Sequence, residues 1–342
     1  MPTKGYQTYR GRSPLWKKIL IILLVLILLG AGAFLFVQMR QAQIFDENGG
    51  HFRLPGFLTA QPQDGEPSSS GEDPTLPDDL ILDVQEPEPA NTLLAGRTIP
   101  AESLQNEDFA ALAEGERPVL TVKSANGVLL YGSLEDAGAA MVRAKIEGRD
   151  AVARIACFND SRKAGSDWAF AVMGTNGRVW LDADNKRWLA PYAENVTEYL
   201  TAIAADCKAL GFTEIVLDGV QFPTDGNLSR IRYPEEADTP EKRLQVICAF
   251  LDAMKAAVGE ETPLSLALPK ELIETGVDEA AGWDLAELAG HVDRIYVPVE
   301  NQATADRLRA IVDATCGDVS SAPFFVAESA AAITGGSYVL VQ

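Results

Sequence analysis

Residues 211–226 read GFTEIVLDGVQFPTDG and predict a β-strand that ends on an acid. Ile215, Val216 and Leu217 form a short apolar run that is typical of a strand, and Asp218 follows directly. Upstream, residues 195–210 carry apolar side chains at the spacing of one helical face, and Gly211 stands where a helix C-cap belongs. Helix, short turn and strand together make half of a βαβ repeat.

Asp218 is the first catalytic candidate in the sequence. In folds built from βαβ repeats, reactive groups project from the C-terminal ends of parallel strands, because the following loops converge there on one open face. The alternative is a structural role, since an Asp at a strand end can accept backbone N–H bonds from its own turn. The sequence leaves both roles open.

After about residue 91 the chain alternates strand-like and helix-like segments, which predicts a parallel sheet or barrel. Eight strands are predicted, near residues 92–98, 118–123, 151–157, 213–218, 263–268, 292–297, 322–327 and 336–341. Helical spacing is found over residues 137–146, 195–210, 244–258 and 304–312. About 250 residues with eight β units is the size of a (β/α)8 TIM barrel, which is the α/β fold class that we expect. The first unit is weak and the seventh has only a single turn at residues 328–333, so the pattern also admits an eroded barrel.

Four predicted strands are followed by a carboxylate, and in a closed barrel these groups would face one mouth. They are Asp160, Asp218, Glu300 and Glu328. Two carboxylates at such a mouth are what glycoside hydrolysis requires, one as a general acid and one as a nucleophile or base. The alternative is that these carboxylates cap loops, because a chain with 49 acidic residues will place some there by chance.

The predicted loop after the third strand contains three tryptophans: Trp168, Trp180 and Trp188. Aromatic side chains on long loops at a barrel mouth commonly contact ligands, and aromatic faces stack on sugar rings. Tryptophan is more often a packing residue, so we expect one or two of the three to be buried. The prediction is that Trp180 or Trp188 faces the ligand.

The N-terminal region predicts a membrane anchor. Residues 19–37 are an unbroken apolar run, long enough to cross a bilayer as a helix over 19–38. Residues 1–18 carry five basic residues and no acid, so the positive-inside rule places them in the cytoplasm and the rest of the chain outside. A cleaved signal peptide is the second interpretation, because Ala31, Gly32 and Ala33 resemble a cleavage site.

Residues 39–90 predict an extracytoplasmic linker, followed by a domain over 91–342. The linker is rich in Pro, Ser and acids and has no Lys or Arg between Arg53 and Arg97, so it should be extended by proline and by self-repulsion. Such a linker would hold the domain away from the membrane.

The formal net charge is −20, and five positive charges lie in residues 1–18, so the exported part carries −25. This argues against nucleic acid or another polyanion as a partner and favours a neutral oligosaccharide or polysaccharide. Four cysteines without CxxC spacing indicate no zinc or redox motif, and we expect no metal or cofactor. Cys207 and Cys248 fall in phase with apolar neighbours and should be small buried residues, while any disulfide pairing stays open.

Several segments resemble the family described as a "putative glycoside hydrolase domain", a TIM-barrel family of membrane-anchored and secreted bacterial proteins that is distantly similar to α-amylase-type glycosidases. They are RPVLTVKSANGVLLYG, AVARIACFND, DNKRWLAPYAENVTEYLTAIAADCKALGF, TEIVLDGVQFP and HVDRIYVP, in the family's order from about residue 117 to 300. By this resemblance, Asp160 matches the acid after strand three and Asp218 the acid of strand four. Trp188, Pro191 and Tyr192 match a Trp-x-x-Pro-Tyr element, so Tyr192 is expected to contact substrate.

The chain departs from the family pattern at its site. Gly219 and Gln221 stand where tyrosine and arginine are usual after the strand-four acid, and that arginine would hold a nucleophilic carboxylate ionised. Thr121 and Ser124 stand where the second strand usually has acids, and strand five ends without its acid. Gln221 is retained as a substrate-binding candidate, together with Glu328.

Two functions follow from these observations. The first is a membrane-tethered glycoside hydrolase acting on a neutral cell-envelope or environmental polysaccharide, with Asp218 as nucleophile or stabiliser and Glu300 or Asp160 as proton donor. The second is a catalytically inactive carbohydrate-binding or scaffold protein on the same barrel, which the departures favour.

We expect the protein to stay attached to the membrane with its C-terminus outside, because the basic flank precedes an apolar run long enough to span. Protease treatment of intact cells should remove the domain and leave the N-terminal segment protected. Recovery of the whole domain in the medium, cut near Phe34, would contradict this topology.

Overall fold

The computed structural model describes residues 93–100, 109, 112–317 and 324–341, all of which belong to one unit, Val84–Gln342. Ten strands lie in these ranges. They are β1 Ala95–Ile99, β2 Arg117–Lys123, β3 Val152–Ala156, β4 Glu214–Asp218, β5 Leu264–Ala267, β6 Val277–Asp278, β7 Trp283–Asp284, β8 Arg294–Pro298, β9 Phe325–Ser329 and β10 Ser337–Leu340.

Eight of these strands close into a parallel barrel, which confirms the predicted fold class. The order around the ring is β1, β10, β9, β8, β5, β4, β3 and β2, with β1 pairing with β2 to close it. All eight neighbouring pairs are parallel. All eight C-terminal strand ends therefore lie at one mouth.

The connections are mostly helical, as the apolar spacing predicted. Seven α-helices lie in the described ranges: α1 Ala137–Ile146, α2 Ser161–Ser166, α3 Glu194–Leu210, α4 Pro240–Val258, α5 Lys270–Thr275, α6 Leu285–Ala289 and α7 Gln302–Cys316. Gly211 ends α3 with a φ of 105°, a left-handed conformation that glycine adopts without steric cost. Thr239 caps α4, and Pro240 occupies its first turn.

Two details differ from the sequence prediction. Strand β9 continues to Ser329, and a short non-helical connection leads from it to β10 where a single turn was expected. The antiparallel pair β6 and β7 was not predicted, because two-residue strands carry no periodicity.

The predicted membrane span, the linker and the first 90 residues lie outside the described residues. Within the described residues, no helix has the length and apolar character needed to cross a bilayer.

The barrel interior contains a layer of mainly β-branched side chains, while the outer faces of the strands pack against the helices. The inner layer consists of Val119, Val152, Val216, Ala267, Tyr296, Val326 and Val339. Alternation along β4 explains the division, because Glu214, Val216 and Asp218 share one face of the strand. Ile215 and Leu217 point the other way, into the large outer core.

A buried carboxylate lies at the N-terminal end of this interior. Glu214 is fully buried and accepts hydrogen bonds from Arg117 (2.7 Å), Arg294 (3.0 Å), Ser265 (2.6 Å) and Tyr296 (2.8 Å). These donors come from β2, β8 and β5, so one side chain of β4 connects four strands. A buried charge is tolerated only with such pairing.

We predict that Glu214→Gln lowers the free energy of unfolding by about 3–5 kcal/mol, because it leaves two arginines facing a neutral amide inside the barrel. Urea denaturation of the full-length protein measures this. The matched control is Glu198→Gln, an exposed site on α3, which should change stability by less than about 0.5 kcal/mol. Equal effects of the two variants would mean that the network does not stabilise the barrel.

Candidate functional site

Asp218 is the last residue of β4, and its side chain enters the barrel mouth. It lies on the same strand face as Val216 and the buried Glu214, and it is nearer the C-terminal end of the barrel than either. The side chain is 45% exposed, so solvent or a ligand can reach the carboxylate. The structure therefore places Asp218 where a catalytic or binding group of a barrel belongs.

Arg154 of β3 connects two carboxylates at this mouth. Its Nε donates to Asp218 Oδ2 at 3.1 Å. Its two terminal nitrogens donate to Glu328 of β9, Nη1 to Oε1 and Nη2 to Oε2 at 3.4 Å. Because β3 and β9 lie four positions apart in a ring of eight, the guanidinium spans the barrel from one side to the other.

The electrostatics of this group favour a permanent positive charge. Burial alone would lower the pKa of Arg154, but the charges of Glu328 and Asp218 outweigh burial and raise the pKa. The family pattern has an arginine where this chain has Gln221, which predicts that no fixed cation lies beside Asp218. Arg154 supplies that cation from the neighbouring strand.

A cavity of about 260 Å³ opens beside these groups. Its polar walls are formed by Arg154, Asn159, Asp218, Gln221 and Glu328. The structure thus brings together three of the predicted site residues: Asp218, Gln221 and Glu328.

An apolar wall completes the cavity, and the indole of Trp283 belongs to it. Its Nε1 donates to Val220 O at 2.6 Å, which fixes the orientation of the ring. Pro269 and Pro298 lie on the same cavity. Apolar walls with a few converging polar groups are typical of ligand sites.

Asp160 does not line this cavity. It is fully buried, forms an ion pair with Lys123 Nζ at 2.9 Å, and caps α2 by accepting from the Lys163 backbone N–H at 2.8 Å. Lys123 is also buried and donates to Ala156 O at 2.7 Å. A carboxylate held in this way has a structural position, and the geometry gives no support to Asp160 as proton donor.

Glu300 also lies outside the cavity lining. It follows Pro298 of β8 by two residues, is exposed, and pairs with Lys270. The hydrogen bond from Lys270 lowers the pKa of Glu300. A general acid needs a raised pKa, so this placement does not favour Glu300 as proton donor.

The two tryptophans that were expected to face a ligand do not line the cavity. Trp180 and Trp188 are both buried, and their indole N–H groups donate to Asn227 O (3.0 Å) and Asp182 Oδ2 (2.9 Å). Trp168 is 60% exposed. The correction is that the two favoured tryptophans pack in the core, because each finds an internal hydrogen-bond acceptor.

Tyr192 is half-buried and lies outside the cavity lining, where its ring stacks on Phe222 with centroids 6.4 Å apart. Burial raises the pKa of Tyr192 to about 12. Its position is therefore that of a packing residue next to the strand-four loop.

The sequence interpretation missed Arg154, Asn159 and Trp283. Arg154 could have been found, because a charged residue in the middle of the apolar run AVARIA must face either the barrel interior or solvent. Trp283 carried no such signal, since it comes from the short β6–β7 pair.

Among the described residues, no group of three or more His, Cys, Asp or Glu side chains is arranged to hold a metal ion. The four cysteines are free. Cys207 is buried as predicted, and Cys248 is half-buried.

Comparisons with known proteins give one family match. The family model described as "Putative glycosyl hydrolase domain" matches residues 120–299, which is just over half of the chain. The match runs from within β2 to just past the end of β8 and therefore includes Arg154, Asn159, Asp218 and Trp283. A search of curated proteins found no match.

Solved structures give weaker likenesses. A hypothetical protein from Ruminiclostridium thermocellum is 22% identical with a TM-score of 0.42, covering 50% of this chain and 96% of that one. The glycoside hydrolase domain of PelA from Pseudomonas aeruginosa is 16% identical with a TM-score of 0.41 (70% and 83% covered). Aspergillus fumigatus Ega3 in complex with galactosamine is 9% identical with a TM-score of 0.40 (71% and 78% covered). Because these sequence identities and TM-scores are low, the function of this chain has to be derived from its own residues.

Two matched substitutions distinguish the buried acid from the mouth acid. Asp160→Asn should lower the free energy of unfolding by about 3–5 kcal/mol, because it leaves Lys123 buried without a counter-charge. Asp218→Asn should cost about 1 kcal/mol or less, since the site is half-exposed and the amide can still accept from Arg154. Chemical denaturation of both variants tests this, and a larger loss for Asp218→Asn would reverse the assignment.

Proposed function

This chain belongs to the glycosyl hydrolase domain family that its residues 120–299 match, and on that premise we propose that its barrel mouth binds a neutral oligosaccharide or polysaccharide. The observation that carries the proposal is the cavity at the C-terminal ends of the strands, with Asp218 and Glu328 held on Arg154 and two amides on its wall. Carboxylate, guanidinium and amide groups together offer the donors and acceptors that sugar hydroxyls need.

Binding without hydrolysis is the form of this activity that the site supports best. Glycoside hydrolysis needs a protonated carboxyl beside the bond that is cleaved. Both carboxylates of the cavity pair with the guanidinium of Arg154, so neither can face a glycosidic oxygen without leaving that partner. Strand β5 ends at Ala267 without an acid, and Glu300 has a lowered pKa because of Lys270.

Hydrolysis is the second candidate, and Asp218 is the observation that favours it. A half-exposed carboxylate at the end of β4, paired with Arg154, is placed as a nucleophile or as a stabiliser of positive charge at the sugar ring would be. Glu300 would then have to leave Lys270 and turn toward the cavity to donate the proton. In this candidate Asp218 and Glu300 keep the roles that the sequence predicted.

The net charge supports the proposed class of ligand, and the N-terminal sequence supports the proposed location of the barrel outside the cytoplasm. A formal charge of −25 outside the basic N-terminal segment disfavours polyanions, so we propose a neutral cell-envelope or environmental polysaccharide. We further propose that residues 19–38 anchor the protein in the membrane, with residues 39–90 as the tether. The barrel would then meet its ligand outside the cytoplasm.

The test is a pull-down of full-length protein on insoluble starch, cellulose and chitin, followed by measurement of new reducing ends. We expect retention on at least one polysaccharide without new reducing ends. Asp218→Asn should weaken retention about tenfold, because a charged acceptor binds hydroxyls more strongly than an amide does. The control variant Glu198→Gln, outside the cavity, should bind like the wild type.

Two other results are informative. If reducing ends appear and fall by orders of magnitude in Asp218→Asn, hydrolysis replaces binding as the function. If the wild type is retained on none of the polysaccharides, the proposal of a saccharide site at this mouth is wrong.

A further inference from the structure

Asn159 has an unusual position among the cavity residues. It follows β3 and lines the cavity, and its side chain makes no hydrogen bond to another described residue. Its Oδ1 is buried and without a partner. Buried side-chain acceptors in native proteins nearly always have a donor, so this amide is not placed there for hydrogen bonding within the fold.

The neighbouring backbone is adapted to this amide. Gly219, which follows β4, has a φ of 63°, and a Cβ added there would lie 3.1 Å from Asn159 Nδ2. The absence of a side chain at Gly219 thus leaves room for the amide beside Asp218. The Asn159 side chain therefore belongs to the cavity wall.

We propose that Asn159 is a specificity-determining residue, whose amide hydrogen-bonds ring hydroxyls of the sugar seated beside Asp218. This inference rests on the proposed function. A ring hydroxyl can accept from Nδ2, whereas Oδ1 is buried and out of the ligand's reach. A site that hydrogen-bonds a hydroxyl discriminates against sugars that lack it, because its own polar group would stay unpaired.

The proposal separates binding from stability. An amide that makes no hydrogen bond in the folded protein contributes little to folding, so its removal should leave the melting temperature unchanged. A structural amide behaves in the opposite way. Asn195 is the matched control, because its Nδ2 donates to Ala169 O at 3.2 Å and it lies outside the cavity.

The experiment compares Asn159→Ala and Asn195→Ala in the full-length protein. Maltohexaose, cellohexaose and N-acetylchitohexaose are titrated into each variant by calorimetry, and melting temperatures are recorded without ligand. Asn159→Ala should lose about tenfold in affinity with a melting temperature within about 1 °C of the wild type. Asn195→Ala should keep wild-type affinity and melt about 2 °C lower.

Three results would overturn the inference. Affinity of Asn159→Ala within about twofold of the wild type would show that the amide does not contact the sugar. A melting temperature several degrees lower would show that the amide is structural. If the wild type binds none of the three hexasaccharides, the proposed function itself fails at this mouth, and the role of Asn159 fails with it.

Discussion

The barrel depends on one buried carboxylate. Glu214 has no solvent contact, yet it lies among Arg117, Arg294, Ser265 and Tyr296 of three other strands. Because an unpaired charge in this interior would cost several kcal/mol, the four strands must keep the register that delivers those donors. The apolar layer above it can then close at native density.

The barrel mouth also contains a cluster of ion pairs, but its central group is a cation and not a carboxylate. At the N-terminal end of the barrel, the carboxylate of Glu214 forms ion pairs with two arginines. At the mouth, Arg154 forms ion pairs with Asp218 and Glu328. The difference is exposure, since Asp218 is open to solvent and Glu214 is not. Charge pairing therefore stabilises the fold at one end and lines a polar cavity at the other. The proposal of saccharide binding without turnover rests on this pairing, because both cavity carboxylates already face a guanidinium.

Much of the fold could be predicted from the sequence, and part of the site could. All eight barrel strands and the long helices were found from apolar spacing, within a few residues. Asp218 and Glu328 were predicted at the mouth from their positions after strands, Gln221 was a candidate from the family pattern, and all three line the cavity. Asp160 was predicted at the mouth by the same strand-end argument, and Trp180 and Trp188 by their place in a long loop, yet all three are buried and do not line the cavity. A strand end gives the height of a residue in the barrel but not the direction of its side chain once a helix cap intervenes, as Asp160 at the N-cap of α2 shows.

The sequence by itself determined the parallel barrel, the acidic balance and the presence of an acid at the end of β4, because periodicity, composition and strand ends are local properties. Tertiary structure alone decided which charges meet. Arg154 and Glu328 are 174 positions apart in the chain, and Arg117 and Glu214 are 97 apart. No local pattern links such residues, and only closure of the ring brings them within hydrogen-bond distance. The identity of the cation beside Asp218, and hence the chemistry open to this mouth, was therefore fixed by the fold.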